Sequence, residues 1–263
     1  MTGLTGRTAV VTGGETGIGL AISEALAAAG ARVMIGGILA DEGHTAVAQL
    51  QASGCAAEFR PTDVRSAQQV DSLIQAAVDL FGRLDIMVNN AGVFDGFASC
   101  IETTEGLWDQ VIAINLKGCF LGCQAALRRM LPQRGGRIIN TSSVGGLRGA
   151  ADGLAYTASK FGVIGITRQM ACTYAEHGIT VNAICPGVIA TDIRRKSATI
   201  LGAAAPPMQH GVGTDPDAYK RLVPARRKGL ASEVAAAAAF LASDAAAYIN
   251  GQALAIDGGW TAT

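Results

Sequence analysis

Short apolar runs alternate with longer amphipathic ones from the first residues of the chain. "TAVVT" (8–12) is β-branched and of strand length; a glycine-rich turn follows, then "GLAISEALAAAG", which predicts a helix. The cycle repeats with "RVMIG" and "DEGHTAVAQLQASG", and again with "AAEFR" and "SAQQVDSLIQAAVDLFG". In this last helix Val70, Leu73, Ile74, Ala77, Val78 and Phe81 fall at helical spacing. "LDIMVNNAG", "RIINTSS" and "ITVNAICPG" predict strands that end in polar turns, and "LAIDGG" closes the set. Strands apolar along their whole length belong in a parallel sheet covered by helices on both faces. The pattern predicts a single α/β domain over residues 1–263. One stretch breaks it: 192–228 is rich in Pro, Gly and charge, has weak periodicity and shows no strand. A segment of that length predicts a substrate loop or lid.

Composition narrows the classes. Hydrophobic residues make up 49% of 263 and mean hydropathy is +0.31, so a large core is expected and disorder is not. Basic and acidic residues number 21 each, which offers no electrostatic footprint for nucleic acid. Arg226, Arg227 and Lys228 form only a short basic cluster, expected in a solvated loop. Of six cysteines, only Cys119 and Cys123 lie close in sequence; no paired CxxC or neighbouring histidines suggest a metal site. Buried or partly buried free thiols fit a reducing compartment. The N-terminus lacks the basic-then-apolar run of a signal peptide, and "VAAAAAFLASDAAAYI" is too short and too Ala-rich to span a bilayer. The expectation is a cytoplasmic protein with no membrane or nucleic-acid partner.

Two stretches carry chemistry. "TGGETGIG" (12–19) follows the first strand and opens a helix. Gly13, Gly17 and Gly19 let the backbone turn tightly and approach a diphosphate, with helix N-terminal amides aimed at the anion. The second strand of such a unit ordinarily ends in an acid that holds the ribose; here Gly37 and Ile38 stand in its place. Glu15 and Thr16 lie where a 2′-phosphate would be cradled, and no basic residue stands nearby in sequence. Like charges a few ångström apart cost about 1–4 kcal/mol, which favours NAD over NADP. Glu15 is also free to turn into water, which leaves NADP open. In "AYTASK" (155–160), Tyr156 and Lys160 share a helix face at i, i+4. An ammonium beside a phenol favours the phenolate, and such a tyrosine exchanges protons with an alcohol or carbonyl. A solvated helix pair is the plainer alternative.

With these residues in place the chain resembles the short-chain dehydrogenase/reductases, and the resemblance runs over nearly its whole length. "TGGETGIG" is similar to the family's TGxxxGxG turn, "NNAG" (89–92) to its motif after the fourth strand, and "YTASK" to its YxxxK. Asn115 in "VIAINLKG", Ser143 thirteen residues before Tyr156, and the "CPGVIAT" segment fit the same pattern in the same order. The resemblance implies a Rossmann-like doubly wound sheet of about seven strands, commonly assembled as a homotetramer. It implies that Tyr156 exchanges the proton, Ser143 orients the reacting oxygen, and Lys160 binds the nicotinamide ribose and depresses the tyrosine pKa. Asn115 would hold a water that links Lys160 to solvent. Val64 would stand with Asp63, which meets the adenine; Ile18 belongs to the phosphate turn. Asn89, Ala91 and Gly92 would line the cofactor, with Asn89 also tying strands together. Pro186, Gly187, Val188 and Thr191 would contact the nicotinamide side.

The expected activity is hydride transfer between NAD, or NADP, and a secondary alcohol or ketone, small to medium in size and rather apolar to match the Ala-, Gly-, Val- and Met-rich loop. A 3-oxoacyl-thioester reductase is the alternative within this chemistry, since Arg194 and Arg195 could meet an anionic carrier. A non-catalytic dinucleotide sensor is the alternative outside it, disfavoured because Asn115, Ser143, Tyr156 and Lys160 are all present. A sugar-nucleotide epimerase would be expected to extend beyond "DGGWTAT". The long loop also carries Met208 and His210; His210 is a candidate substrate contact, although a lone loop histidine is more often solvated.

Overall fold

The computed structural model describes residues 3–149, 151–211 and 217–262. Seven parallel strands form one sheet: β1 (Thr8–Thr12), β2 (Arg32–Gly37), β3 (Ala57–Pro61), β4 (Ile86–Asn89), β5 (Gly136–Thr141), β6 (Ile179–Pro186) and β7 (Ala253–Ile256). Their order is β3-β2-β1-β4-β5-β6-β7. The order reverses between β1 and β4, where Thr12 pairs with Gly36 on one side and Asn89 on the other. A crevice at the carboxyl ends of strands at such a reversal is where doubly wound sheets bind ligands.

Alternate residues along each strand serve opposite layers. Ala9, Val11, Val33, Ile35, Ile86 and Val88 pack under α1 (Gly17–Ala28), α2 (Ala40–Ala52) and α9 (Ala231–Ala242). Val10, Met34, Met87 and Ile138 pack under α3 (Ala67–Phe81), α4 (Glu105–Val111), α5 (Gly118–Gln133) and α6 (Leu154–Tyr174). The helix expected at 66–82 forms as its sequence dictates. Ser66 accepts from the Gln69 N–H at 3.3 Å, and Gly82 ends the helix in the left-handed region at φ 87°.

Between α4 and α5 the chain makes a π turn over Ile112–Lys117, so the helical run is continuous from Glu105 to Gln133. That run is long and apolar enough to cross a membrane by length and composition, yet most of its apolar window is buried within the fold. The extra residue in the π turn swings Asn115 inward, where it is 2% exposed.

The expectation for 192–228 needs correcting. No strand lies among its described residues, but it holds two helices, α7 (Ile193–Leu201) and α8 (Ala218–Leu222). Helix α7 buries Ser197 and Leu201, and Ile193 and Ile200 on the same face line the cavity, so "IRRKSATIL" carries a short apolar stripe broken by Ser197. Residues 212–216 of that segment lie outside the described residues. The excursion is closed at its base by a bridge between Ile189 and Gly229. The thiols also differ from expectation. All six are free, but Cys100 and Cys172 are exposed, while Cys119, Cys123 and Cys185 are buried and Cys55 is intermediate.

Candidate active site

At the sheet reversal, the turn between β1 and α1 is built from backbone. Gly13 and Gly17 adopt φ of 61° and 56°, a region costly for residues with a Cβ. A Cβ on Gly13 would stand 2.9 Å from the Ala91 Cα, and one on Gly19 would overlap the Gly13 carbonyl. Asn90 fastens the turn, donating from Nδ2 to the carbonyls of Thr12 at 3.2 Å and Gly13 at 3.1 Å.

Glu15 is the unexpected feature here. It does not turn into water: the residue is 5% exposed, and its Oε2 has no hydrogen-bond partner among the described residues. A side chain at Gly37 would overlap the Glu15 carboxylate, so the turn supplies an acid in the space left by the glycine ending β2. Burial pushes its pKa up, opposed by backbone N–H groups, including that of Leu39, and by the Lys196 charge. The basic neighbour that the sequence seemed to lack therefore comes from α7.

A cavity of about 380 Å³ runs from this turn across the strand ends. Gly13, Glu15, Thr16, Ile18, Gly37, Ile38, Asp63 and Val64 line its first half. Asp63 is held below the usual carboxylate range by its hydrogen bonds to Arg65, whose guanidinium lies 2.7 Å away. Ala91, Gly92, Ser143, Tyr156, Lys160, Pro186, Gly187, Val188 and Thr191 line the second half. Gly17 and Gly19 shape the turn without lining the cavity. Asn89 sits behind the wall, donating to Asn140 Oδ1 at 2.9 Å and Cys123 Sγ at 3.3 Å, and it is Asn90 that faces the cavity.

These features fit a nicotinamide dinucleotide. The glycine cradle admits a diphosphate close to backbone, and the orphaned buried oxygen of Glu15 marks the ribose side as built around a missing group.

At the reaction end, Tyr156 and Lys160 are both buried on the inner face of α6. Lys160 Nζ stands 5.3 Å from the Tyr156 ring centroid and donates to the Thr141 carbonyl at 2.8 Å. Burial pushes Lys160 down to about 8. The phenol is not made acidic here. Burial pushes its pKa up, the Asp152 charge adds to that, and hydrogen bonding to Ser143 opposes them. Desolvation of the phenolate outweighs the ammonium one turn away. Ser143 and its neighbour part company: Ser142 Oγ bonds to the Lys160 carbonyl at 2.9 Å, while Ser143 faces the cavity. Asn115 engages protein directly. Its side chain accepts from Val93 N–H at 2.8 Å and donates to the Val93 carbonyl at 2.9 Å and Ser159 Oγ at 3.2 Å.

Several residues in or behind the cavity wall escaped the sequence reading. Asp152 lies nine residues after Ser143 and accepts from its hydroxyl at 3.3 Å. Asp95, fully buried, accepts from the Tyr156 N–H at 2.8 Å and from Phe97 N–H at 3.3 Å, which fixes the start of α6. Phe94 stacks edge-on against Tyr156, their centroids 5.4 Å apart. Phe97 has φ 65° and, with Phe94, lies under the Arg194 guanidinium at 5.3 and 5.1 Å. Arg194 also donates to the carbonyls of Met208 at 2.6 Å and His210 at 2.9 Å. His210 is exposed and does not line the cavity, and Arg195 pairs with Asp192 at 2.8 Å on the surface. An acid in "VFDGF", between apolar residues just after a strand-end turn, was the one signal for Asp95.

Comparison with known proteins bears on this geometry. The chain is 40% identical to a 3beta-hydroxysteroid dehydrogenase 2 of Eggerthella lenta over 264 residues, covering 98% of this chain and 96% of the relative. It is 41% identical to a D-threitol dehydrogenase of Mycolicibacterium smegmatis, covering 98% and 94%. The solved structure of a levodione reductase superposes with a TM-score of 0.88 at 34% identity, covering 98% of this chain and 99% of that one. The profile described as short chain dehydrogenase matches residues 7–200. With the seven-stranded parallel sheet, the glycine turn at its reversal and Ser143, Tyr156 and Lys160 around one cavity, these matches place the chain in the short-chain dehydrogenase family.

Proposed function

We propose that the chain interconverts a secondary alcohol and a ketone with Tyr156 as its proton-transfer group. The observation that carries this is the convergence of Ser143, Tyr156 and Lys160 on the cavity that the glycine turn opens. Bound nicotinamide supplies the two-electron step, taking a hydride from the carbinol carbon or returning it. The protein's residues handle the oxygen. Tyr156 takes the alcohol proton in one direction and returns it to the carbonyl oxygen in the other. Ser143 donates a hydrogen bond to that oxygen and holds it beside the phenol. Lys160 keeps positive charge next to Tyr156 at neutral pH, since burial leaves its pKa at about 8. Asn115 acts one layer back, clamping the Val93 backbone beside the cavity wall.

NAD is the coenzyme favoured by the turn. A 2′-phosphate would meet the buried Glu15 carboxylate in a space with little water, and Lys196 offsets that charge only in part. Helix α7 acts as part of a lid. Ser197 accepts from the Phe94 N–H at 2.8 Å and Arg194 reaches over the phenylalanines, so the 192–228 excursion rests on the substrate side. Trp108, Phe120 and Phe161 lie exposed on α4, α5 and α6, and Phe240 and Leu254 on α9 and β7. Exposed apolar residues on paired faces favour a homo-oligomer. Free thiols throughout fit a reducing compartment such as the cytoplasm.

Fluorescence titration with NADH and NADPH, followed by an alcohol and ketone panel read at 340 nm, tests this reading. Tighter NADH binding and turnover of secondary alcohols are expected. Absence of nucleotide binding, or turnover that survives loss of the Tyr156 hydroxyl, would defeat it.

A further inference from the structure

Asp152 has no duty in proton transfer, yet it occupies the reaction end of the cavity. Its Oδ2 accepts the Ser143 hydroxyl at 3.3 Å, and Ser143 Oγ in turn accepts the Gly145 N–H at 3.1 Å. A Cβ on Gly145 would overlap Oδ2, so the backbone is shaped around this carboxylate. Oδ1 has no hydrogen bond among the described residues. No ion pair reaches Asp152 among them either. Of the two cations whose charge reaches it, Lys160 donates to the Thr141 carbonyl, and Arg194 is spent on the faces of Phe94 and Phe97 and on the carbonyls of Met208 and His210.

The consequence follows from counting protons. Ser143 has one, and at rest it points at Asp152. To orient a reacting oxygen, Ser143 must turn that proton to the substrate. Asp152, half-buried in the cavity wall, then loses its side-chain donor. Once substrate fills the cavity, an acceptor there left unmatched is costly, and a site built around such a group discriminates against ligands that fail to match it. The exchange is balanced if the substrate brings a donor of its own. That donor must reach Asp152 while its neighbouring oxygen reaches Ser143. Because the carboxylate and the hydroxyl are themselves in hydrogen-bond contact, the two substrate oxygens belong on adjacent carbons.

We propose that the substrate is a vicinal diol or the corresponding α-hydroxyketone, with Asp152 accepting the hydrogen bond of the hydroxyl next to the reacting carbon. This rests on the alcohol–ketone reading above and names its substrate class. An ammonium in place of the hydroxyl is disfavoured, because Arg194 and Lys160 line the same cavity.

The test pairs substrates that differ by one hydroxyl: 2,3-butanediol with 2-butanol, and 1,2-cyclohexanediol with cyclohexanol. Each is assayed for kcat/KM with NAD⁺. In parallel, calorimetry measures binding of acetoin and of 2-butanone to the enzyme already carrying NAD⁺. The wild type is expected to favour each diol, and acetoin over 2-butanone, by at least about tenfold. Asp152→Leu should bring the ratio near one, and Asp152→Asn, which keeps the shape, should give an intermediate ratio. NADH binding certifies that each variant is folded; if the leucine variant fails that check, the asparagine variant decides. Equal use of diol and mono-alcohol by the wild type, or a ratio kept by folded variants, overturns the inference and leaves the oxidoreductase reading standing. Preference for 3-amino-2-butanol over 2,3-butanediol overturns the hydroxyl assignment. Turnover of other ketones with none of these four alcohols used and neither ketone bound also sinks the inference alone. Turnover of no alcohol or ketone at all removes both.

Discussion

The two ends of the cavity each hold an acid, one buried and one half-buried, and they are built in different ways. At the nucleotide end, Glu15 fills the space beside Gly37, and its Oε2 has no hydrogen-bond partner among the described residues. At the reaction end, Asp152 is tied to Ser143 and faces an open volume lined by Phe94, Phe97 and Arg194. The first end is made by backbone: glycines, strand ends and a helix start. The second is made by side chains drawn from α6, α7 and the loops after β4 and β5. Where backbone sets the shape, a change of one atom should be felt everywhere. Where side chains set it, a change should be read in one chemical step.

The sharpest way to break the second half of that comparison is Tyr156→Phe. Turnover should fall at least about 100-fold, the scale of a positioned acid or base, with the coenzyme Kd unchanged. Stopped-flow measurement of the hydride step and an NADH titration check both parts. A matching loss of coenzyme affinity would show that the phenol also shapes the first half.

The first half is probed by two glycines that differ in what surrounds them. A methyl at Gly19 meets the Gly13 carbonyl, which is backbone and cannot yield; a methyl at Gly37 meets the Glu15 carboxylate, the far end of a flexible chain. Gly19→Ala should therefore cost about 1–3 kcal/mol by overpacking and abolish coenzyme binding. Gly37→Ala should cost less, and adding Glu15→Ala should recover most of the loss. Thermal melts and NADH titrations of the four proteins check this. Equal, unrecoverable damage at both glycines would mean that Glu15 is as fixed as the backbone around it.

The same contrast explains what could be read in advance. Strand length, alternation and the turn at 12–19 are local, so the seven strands and the nucleotide end followed from sequence. Tyr156, Lys160 and Ser143 were found because chemistry and spacing mark them. Asp95 was missed because its partner Tyr156 is far away in the chain, and Asp152 because a loop acid nine residues past Ser143 carries no periodicity that shows which way it faces. Helix α7 was read as loop because its stripe of Ile193, Ile200 and Leu201 is only nine residues long and is followed by a Pro- and Gly-rich stretch. The position of Glu15 was visible but not its direction. Only the empty side-chain volume at Gly37 shows why it turns inward. The expected acidity of Tyr156 failed for a similar reason, because spacing reveals the ammonium but not the burial that opposes it.

Coenzyme choice offers a smaller effect. Glu15→Ser removes the buried carboxylate and leaves Lys196, Thr16 and Gly37 in place. The ratio of NADPH to NADH affinity should rise about tenfold, the size of one unfavourable charge contact at intermediate dielectric. Paired fluorescence titrations give the ratio directly. A ratio that does not move would mean that Glu15 is held neutral by burial and serves only to fill the space at Gly37.

The smallest expected effect is on stability, and it is read at Asp152. Burial raises Asp152 to about 6, with the Asp95 charge adding to the shift and Ser143, Lys160 and Arg194 opposing it; Tyr156 is the remaining titratable group facing it. A carboxyl raised above its unfolded value of 3.8 favours the fold when protonated. That contribution is full below pH 3.8 and is lost as pH rises through about 6. At pH 8 the fold therefore carries a charge it would be easier without. Asp152→Asn removes that penalty, so relative to wild type it should gain stability between pH 4 and pH 8, by about 1 kcal/mol after allowance for solvent in the open cavity. Urea melts at the two pH values check the difference. Should the two proteins keep a constant gap, Asp152 titrates in the fold as it does in the unfolded chain, its charge is already matched by its surroundings, and the reaction end has no need of an incoming hydroxyl.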